Sequence, residues 1–252
     1  MNNVLFLKRI FANKVYWISV LAAIFLLFCS IVGEDSATGK EYMFIQLFYD
    51  DTVRELLEFG RISISQIVLG QDTSYLWMFC PIIVGIPCIL TGKTERFVMF
   101  RTSKNKYLFS KYLSNLLASG MILFISYLVF ALLGMGLAQE NLWNIYLVKK
   151  LLSVFFWGIY CAIPSIILSE LVENKYLILC IPFVINYFMC MFLGSIFSYE
   201  IQSYLSPWGY QSLLLSDSPK MVGRFMILLS LIVACAIMKK IVLERRCDCG
   251  QK

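Results

Sequence analysis

The chain has 252 residues, of which 60% are hydrophobic and 15% are charged, and its mean hydropathy is +0.75. So little polar surface excludes a soluble globular protein and indicates an integral membrane protein. The net charge of +6 is explained by membrane topology and attraction to the membrane surface, so no nucleic-acid partner is needed.

Residues 2–16 predict a basic amphipathic helix at the start of the chain. The apolar positions of the pattern are Leu5, Phe6, Ile10, Phe11 and Val15, and the cations among them are Lys8, Arg9 and Lys14. A helix of this kind is expected to lie along the inner face of a membrane. The alternative is a short solvated leader that supplies only positive charge.

Six apolar stretches reach, or nearly reach, the roughly 20 residues that a helix needs to cross the hydrocarbon core. The predicted spans are residues 15–32, 74–91, 112–137, 151–169, 176–197 and 221–243. The first is too long for a cleavable signal peptide and lacks a small-residue cleavage site, so it is interpreted as a permanent span. The predicted fold is therefore an all-α polytopic membrane protein with a single transmembrane domain over residues 1–252.

The last of these spans is flanked closely by charge. Ser218 and Pro219 fit an N-cap followed by a first helical proline, and Arg224 near the helix end is expected to send its charge to the interface. Prolines inside the predicted spans indicate bends in spans two, four and five. These prolines are Pro81, Pro87, Pro164 and Pro182.

The distribution of charge predicts that both termini are cytoplasmic. The N-terminus, the second loop, the fourth loop and the tail together hold 15 of the 22 Lys and Arg residues. Positive charge favours the inner side. The first outer loop, residues 34–73, collects acidic residues instead, and whether it caps a translocation route or only packs on the spans stays open.

Short structural signals mark the two long outer segments. Thr52 and Glu55 have the spacing of a capping box, so a short helix is expected to begin there and to end near Gly60. In residues 198–218, the stretch from Pro207 to Tyr210 predicts a turn whose aromatic rings suit the membrane interface.

Several chemistries are excluded or weakened by composition. The chain has no histidine, which excludes Ser-His and Cys-His hydrolases and histidine-ligated haem. The predicted spans hold almost no ionisable residue away from their ends, so an ion-coupled secondary transporter is a weaker alternative. Cys247 and Cys249 in the tail make only half of a metal site. No bound cofactor or metal is predicted for this chain.

Gly92-Lys93-Thr94 has the letters that close a phosphate-binding loop. The motif needs a glycine five positions before Gly92, where this chain has Pro87, and it needs a strand before it rather than a membrane span. The match is therefore a decoy. We expect no enzyme activity in this chain, and energy for any transport would come from another polypeptide.

The basic loop between spans two and three is the most informative segment. It opens with Glu95 and Arg96, continues through the apolar run 97–100 to Arg101, and reaches Tyr107 and Lys111 after a polar break. An apolar run too short to span a membrane predicts a partner surface. An ordinary positive-inside loop is the alternative interpretation.

This order of features resembles the coupling helix of ABC-2 type permeases, the membrane subunits of one class of ATP-driven exporters. The family has six spans, and its amphipathic N-terminal helix and coupling helix together dock on an ATP-binding subunit. The family often has a second acidic residue beside the position of Arg101, where this chain has Phe100. The resemblance implies ATPase coupling through Glu95, Arg96, Phe97, Arg101, Tyr107 and Lys111, with Lys8, Arg9 and Lys14 on the inner-face helix.

The resemblance also implies the partners and the location. It implies a permease subunit in the bacterial cell membrane, paired with a second, identical or similar permease chain. Two ATP-binding subunits would carry the ATP and Mg²⁺. An aromatic and Met-rich interior suits an amphipathic, peptide or lipid-like cargo, such as a peptide antibiotic. The alternative from another class is a non-transporting membrane protein that acts in immunity or assembly.

Overall fold

The computed structural model describes residues 2–34, 41–59, 68, 75–91, 104–138, 143–192 and 199–249. Most of these residues are helical. The α-helices are α1 (Asn2–Phe11), α2 (Lys14–Phe28), α3 (Asp51–Glu58), α4 (Leu76–Thr91), α5 (Lys104–Ala138), α6 (Ile145–Leu171), α7 (Lys175–Met191), α8 (Tyr199–Leu205) and α9 (Ser218–Cys249). Two 3-10 helices, Phe44–Phe48 and Pro207–Leu215, and two short strands, β1 (Ile31–Glu34) and β2 (Glu41–Met43), complete the described elements.

Within the described residues, three helices are long and apolar enough to cross a membrane. They are Phe109–Leu137 within α5, Ile145–Leu171, which is α6, and Ser218–Met238 within α9. This confirms the prediction of a helical membrane protein. The apolar helices α2, α4 and α7 are shorter, with 15, 16 and 17 residues, and they coincide with the first, second and fifth predicted spans.

The first predicted span ends earlier than expected. Helix α2 stops at Phe28, whereas the apolar pattern continues to Val32. The chain turns there into β1, which pairs antiparallel with β2 so that Ile31 lies opposite Met43. The Ser30 carbonyl accepts a hydrogen bond of 2.9 Å from the Phe44 amide. An apolar run of this kind fits a strand as well as a helix, and sequence periodicity alone did not separate the two.

The short helix of the first outer loop is confirmed, with a different cap. Helix α3 begins at Asp51, and the side chain of Asp50 accepts a hydrogen bond of 3.1 Å from the Thr52 amide. Thr52 was expected at the cap and instead lies in the first turn. In the second outer segment, the predicted turn at Pro207 is the start of a 3-10 helix.

Helix α5 lies at the centre of the bundle and contacts α1, α2, α4, α6 and α9. Hydroxyl groups join it to its neighbours through backbone carbonyls, as expected where water does not compete. These bonds are Tyr16 Oη to the Ala118 carbonyl at 3.2 Å, Ser119 Oγ to the Val84 carbonyl at 2.6 Å and Tyr112 Oη to the Ile232 carbonyl at 2.6 Å.

Two glycines allow α5 and α6 to pack closely where they cross. A Cβ atom on Gly158 would lie 3.0 Å from the Ser119 carbonyl oxygen and 3.1 Å from the Gly120 Cα. A Cβ atom on Gly120 would lie 2.6 Å from a ring carbon of Phe155. The two backbones therefore lie closer together than residues with larger side chains would allow. Small residues permit such close contacts between helices in membranes.

Hydrogen bonds from the Arg224 side chain hold the second outer segment against α9. Its Nη1 donates to the Gly209 carbonyl at 2.8 Å and to Ser216 Oγ at 2.7 Å, and its Nε donates to the Ser203 carbonyl at 3.0 Å. The guanidinium was expected at the membrane interface, but it is buried because these acceptors satisfy it. Burial raises the pKa of the neighbouring Tyr210 phenol above its usual range, so Tyr210 keeps its proton and donates to the Arg224 carbonyl at 3.3 Å.

We expect Arg224→Met to loosen residues 199–216. A hydrogen bond to a charged group contributes about 1.5–3 kcal/mol, and losing it makes local opening at least about tenfold more frequent. Limited proteolysis in detergent should then cleave this segment correspondingly faster. Lys220→Met, which changes an exposed cation one turn earlier on the same helix, is the control. Equal cleavage of the two variants would contradict this role of Arg224.

Candidate coupling surface

Helix α1 is amphipathic, as its sequence predicts, and it packs on the beginning of α5. Phe6 and Ile10 are buried, whereas Lys8 and Arg9 are exposed. The Phe6 ring meets the buried ring of Tyr107 edge to face, with centroids 5.5 Å apart. Such aromatic pairs contribute about 0.5–1.5 kcal/mol beyond the area that they bury. The contact places the cations of α1 on the outside of the same end of the bundle.

The predicted helix 2–16 is in fact two helices. The first ends at Phe11, and Asn13 caps the second by accepting a hydrogen bond of 2.9 Å from the Val15 amide. Trp17 Nε1 donates to the Phe11 carbonyl at 2.8 Å, which satisfies one of the carbonyls left free at the end of α1. A capped break therefore separates α1 from α2, and Lys14 is exposed just after it.

A buried ion pair lies behind this surface. Lys111 Nζ is 3.0 Å from Glu170 Oε1, and the two side chains are 2% and 9% exposed. Lys111 belongs to the first turns of α5, and Glu170 is the last residue but one of α6. Because both charges are removed from water, the contact between them contributes to the solvation of each. The pair joins the beginning of α5 to the end of α6.

Glu170 was not found by sequence reasoning, which placed it in the inner loop without a role. The sequence contained one signal for a role of Glu170. Lys111 and Glu170 lie at the ends of neighbouring antiparallel spans, and both ends face the same side of the membrane in the predicted topology. Two opposite charges in that arrangement are close enough to pair, but the pattern does not show that they are buried.

The structure divides the predicted coupling residues into two groups. Tyr107 and Lys111 are buried, so they lie beneath the candidate coupling surface and are not part of it. Lys8, Arg9 and Lys14 are exposed, as is Lys106, which the sequence analysis did not single out. The others, Glu95, Arg96, Phe97 and Arg101, lie outside the described residues.

Two further cations are buried at the other end of the bundle. Arg224 binds the second outer segment, and Lys150 lies over the Tyr127 ring, with its Nζ 5.7 Å from the ring centroid. Tyr127 Oη donates to the Val68 carbonyl at 2.6 Å. The described residues include no group of three or more Cys, Asp or Glu side chains that could hold a metal ion.

No family model, curated protein or solved structure matches this chain. The chain is a helical membrane protein with a basic amphipathic helix packed against one end of its helix bundle and a buried ion pair beneath that end.

Proposed function

We propose that this chain is the permease subunit of an ATP-driven exporter of the ABC-2 type in a bacterial cell membrane. In this proposal α2, α4, α5, α6, α7 and α9 are six spans, and both termini are cytoplasmic. The exposed cations of α1 and the segment 95–101 form the surface that docks on a separate ATP-binding subunit. The cargo is an amphipathic, peptide or lipid-like molecule, and a second permease chain, identical or similar, completes the route.

The observation that carries the proposal is the packing of α1 on the beginning of α5. The segment 95–101 shortly precedes α5 in the chain, so we place it near the helix on which α1 packs. Lys8, Arg9 and Lys106 lie exposed at this end. A soluble subunit with an acidic surface would meet complementary charge here.

The buried contacts provide a mechanical link from that surface into the spans. Tyr107 ties α1 to α5 through Phe6, and Lys111 ties α5 to α6 through Glu170. When ATP binding draws the two ATPases together, movement of the docked segments would shift α1, α5 and the end of α6 as one unit. Switching of this kind requires two discrete helix packings that nucleotide biases.

The test begins with purification of the tagged chain from its native membranes in mild detergent and identification of stoichiometric partners by mass spectrometry. We expect an ATP-binding subunit with the wild type. Charge reversal by Lys8→Glu with Arg9→Glu, or by Arg101→Glu, should reduce its recovery at least about tenfold, which corresponds to a loss of about 1.4 kcal/mol of binding free energy.

Lys149→Glu is the matched control, because Lys149 is an exposed cation at the start of α6, at the opposite end of the bundle. It should leave recovery of the ATPase unchanged. Absence of any ATPase after crosslinking in intact membranes would count against the exporter and favour the immunity or assembly alternative. Equal recovery with all the variants would place docking elsewhere.

A further inference from the structure

Three prolines inside helices surround one cavity. Pro81 of α4, Pro164 of α6 and Pro182 of α7 line it, together with Pro207. Proline removes a backbone N–H and its ring displaces the carbonyl four residues earlier, so regular helix packing is interrupted beside it. The resulting cavity has a volume of about 240 Å³. Engineered apolar cavities of about 150 Å³ already take up benzene.

The cavity wall is apolar except for a small polar part that includes Asn186. Because Pro81 has no N–H, the Trp77 carbonyl has lost its helical donor, and Asn186 Nδ2 donates to it at 2.9 Å. The residue is 5% exposed. Among the described residues, nothing donates to its Oδ1 and nothing accepts its second N–H. An amide with one remaining acceptor and one remaining donor matches a hydroxyl group, which can both donate and accept.

A second polar side chain, the phenol of Tyr160, also lines the cavity. Its Oη donates to the Leu205 carbonyl at 2.9 Å, so the oxygen retains acceptor capacity. The phenol ring stacks on Tyr210, with centroids 4.1 Å apart. This fixed ring forms a rigid part of the cavity wall.

The mouth of the cavity lies on a surface that faces lipid. Ile185 of α7 and Leu231 of α9 are its most exposed lining residues. Large apolar residues around them on the same helices are also exposed, namely Val184, Phe188, Leu229 and Val233, with Ser230 as an exposed polar residue among them. A surface this apolar is stable in hydrocarbon rather than in water. A ligand would therefore enter from the bilayer, between α7 and α9.

We propose that this cavity binds a small hydrocarbon molecule that carries one hydroxyl group and is drawn from the bilayer. The apolar part fills the space among the prolines, and the hydroxyl pairs with the amide of Asn186. The volume excludes a whole phospholipid and fits a ring or a short alkyl chain. The site does not depend on the proposed transport, because binding is a property of this chain alone.

The test uses the full chain in lipid nanodiscs and a diazirine derivative of 1-octanol as the photoreactive probe. Mass spectrometry should place the label on lining residues such as Ile163 and Ile167. At equal mole fraction in the membrane, unlabelled 1-octanol should compete about fivefold better than octane, as expected for one net hydrogen bond of about 1 kcal/mol.

Two tryptophan variants of α9 separate the cavity from the general lipid surface. Leu231→Trp places a large ring at the mouth and should reduce labelling of the cavity at least about tenfold. Leu229→Trp, two residues away on the exposed face and outside the lining, should leave labelling unchanged. Both substitutions are at exposed positions, 36% for Leu231 and 48% for Leu229, so we expect both variants to fold.

Asn186→Leu should abolish the advantage of octanol over octane. Because this variant also removes the bond to the Trp77 carbonyl, its thermal unfolding is measured alongside, and the Leu231→Trp comparison stands without it. Labelling spread evenly over exposed faces, or insensitive to Leu231→Trp, would overturn the site. Equal competition by octanol and octane in the wild type would overturn the role of the hydroxyl group.

Discussion

Glu170→Leu should lower the free energy of unfolding by about 3–5 kcal/mol, because it leaves the Lys111 ammonium buried without its carboxylate. The pair is 3.0 Å apart, and Lys111 is 2% exposed. Unfolding in mixed micelles, followed by circular dichroism against increasing denaturing detergent, measures the loss.

The double variant Lys111→Met with Glu170→Leu separates a buried ion pair from simple packing. Replacing both charges with apolar groups removes the desolvation cost of each, so the double variant should be much more stable than Glu170→Leu and close to the wild type. Glu173→Leu, which changes an exposed carboxylate in the next connection, should have little effect. Additive losses in the double variant would show that the two charges do not depend on each other.

The ion pair also bears on the proposed coupling. The double variant is expected to fold but to lack the charged contact between the beginning of α5 and the end of α6. If the pair transmits movement, transport by the double variant should fall even where the ATP-binding subunit still copurifies. Normal transport by a correctly folded double variant would assign the pair to stability alone.

Gly158→Leu should cost about 3 kcal/mol, at the upper end of the effects of overpacking. Its Cβ atom alone would meet the Ser119 carbonyl and the Gly120 Cα at 3.0 and 3.1 Å. Backbone atoms cannot turn away as a flexible side chain can, so α5 and α6 would have to separate. The same detergent unfolding assay measures the loss, with yield in the membrane as a second readout.

Gly136→Leu is the matched control, because it makes the same substitution in α5 where an added Cβ would meet nothing within 4 Å. Leucine has a higher helix propensity than glycine, so this variant should be as stable as the wild type or slightly more stable. If both leucine variants were equally destabilised, the close crossing of α5 and α6 would not be the cause.

The sequence predicted the helices because apolar runs of this length leave few alternatives. It was less accurate at the helix ends, because specific contacts determine where each helix begins and ends. The fourth span was predicted to begin after Lys150, since a cation normally ends a span, yet α6 begins at Ile145 and Lys150 is buried. The Tyr127 ring beside Lys150 comes from another helix, and such long-range contacts have no local signal.

The same limit applies to the candidate surface. Amphipathic spacing correctly predicted that Phe6 and Ile10 are buried and that Lys8 and Arg9 are exposed, but Phe11 is only partly buried and Val15, on α2, is 43% exposed. It could not show that Tyr107 and Lys111 point inward, because their burial depends on Phe6 and on Glu170 from distant parts of the chain. A proline is visible in the sequence, but the cavity formed where Pro81, Pro164 and Pro182 meet is visible only in three dimensions.

The lengths of the apolar helices have a consequence for the surrounding lipid. At ~1.5 Å per residue, α2, α4 and α7 are about 22–26 Å long, against a hydrocarbon core of about 30 Å. Helix α4 contacts both α2 and α7, so these short helices are neighbours. Where they cross the membrane as proposed, thinning of the bilayer beside them is one way to remove the hydrophobic mismatch. A thinned patch shortens the distance over which an amphipathic molecule must carry its polar group through hydrocarbon.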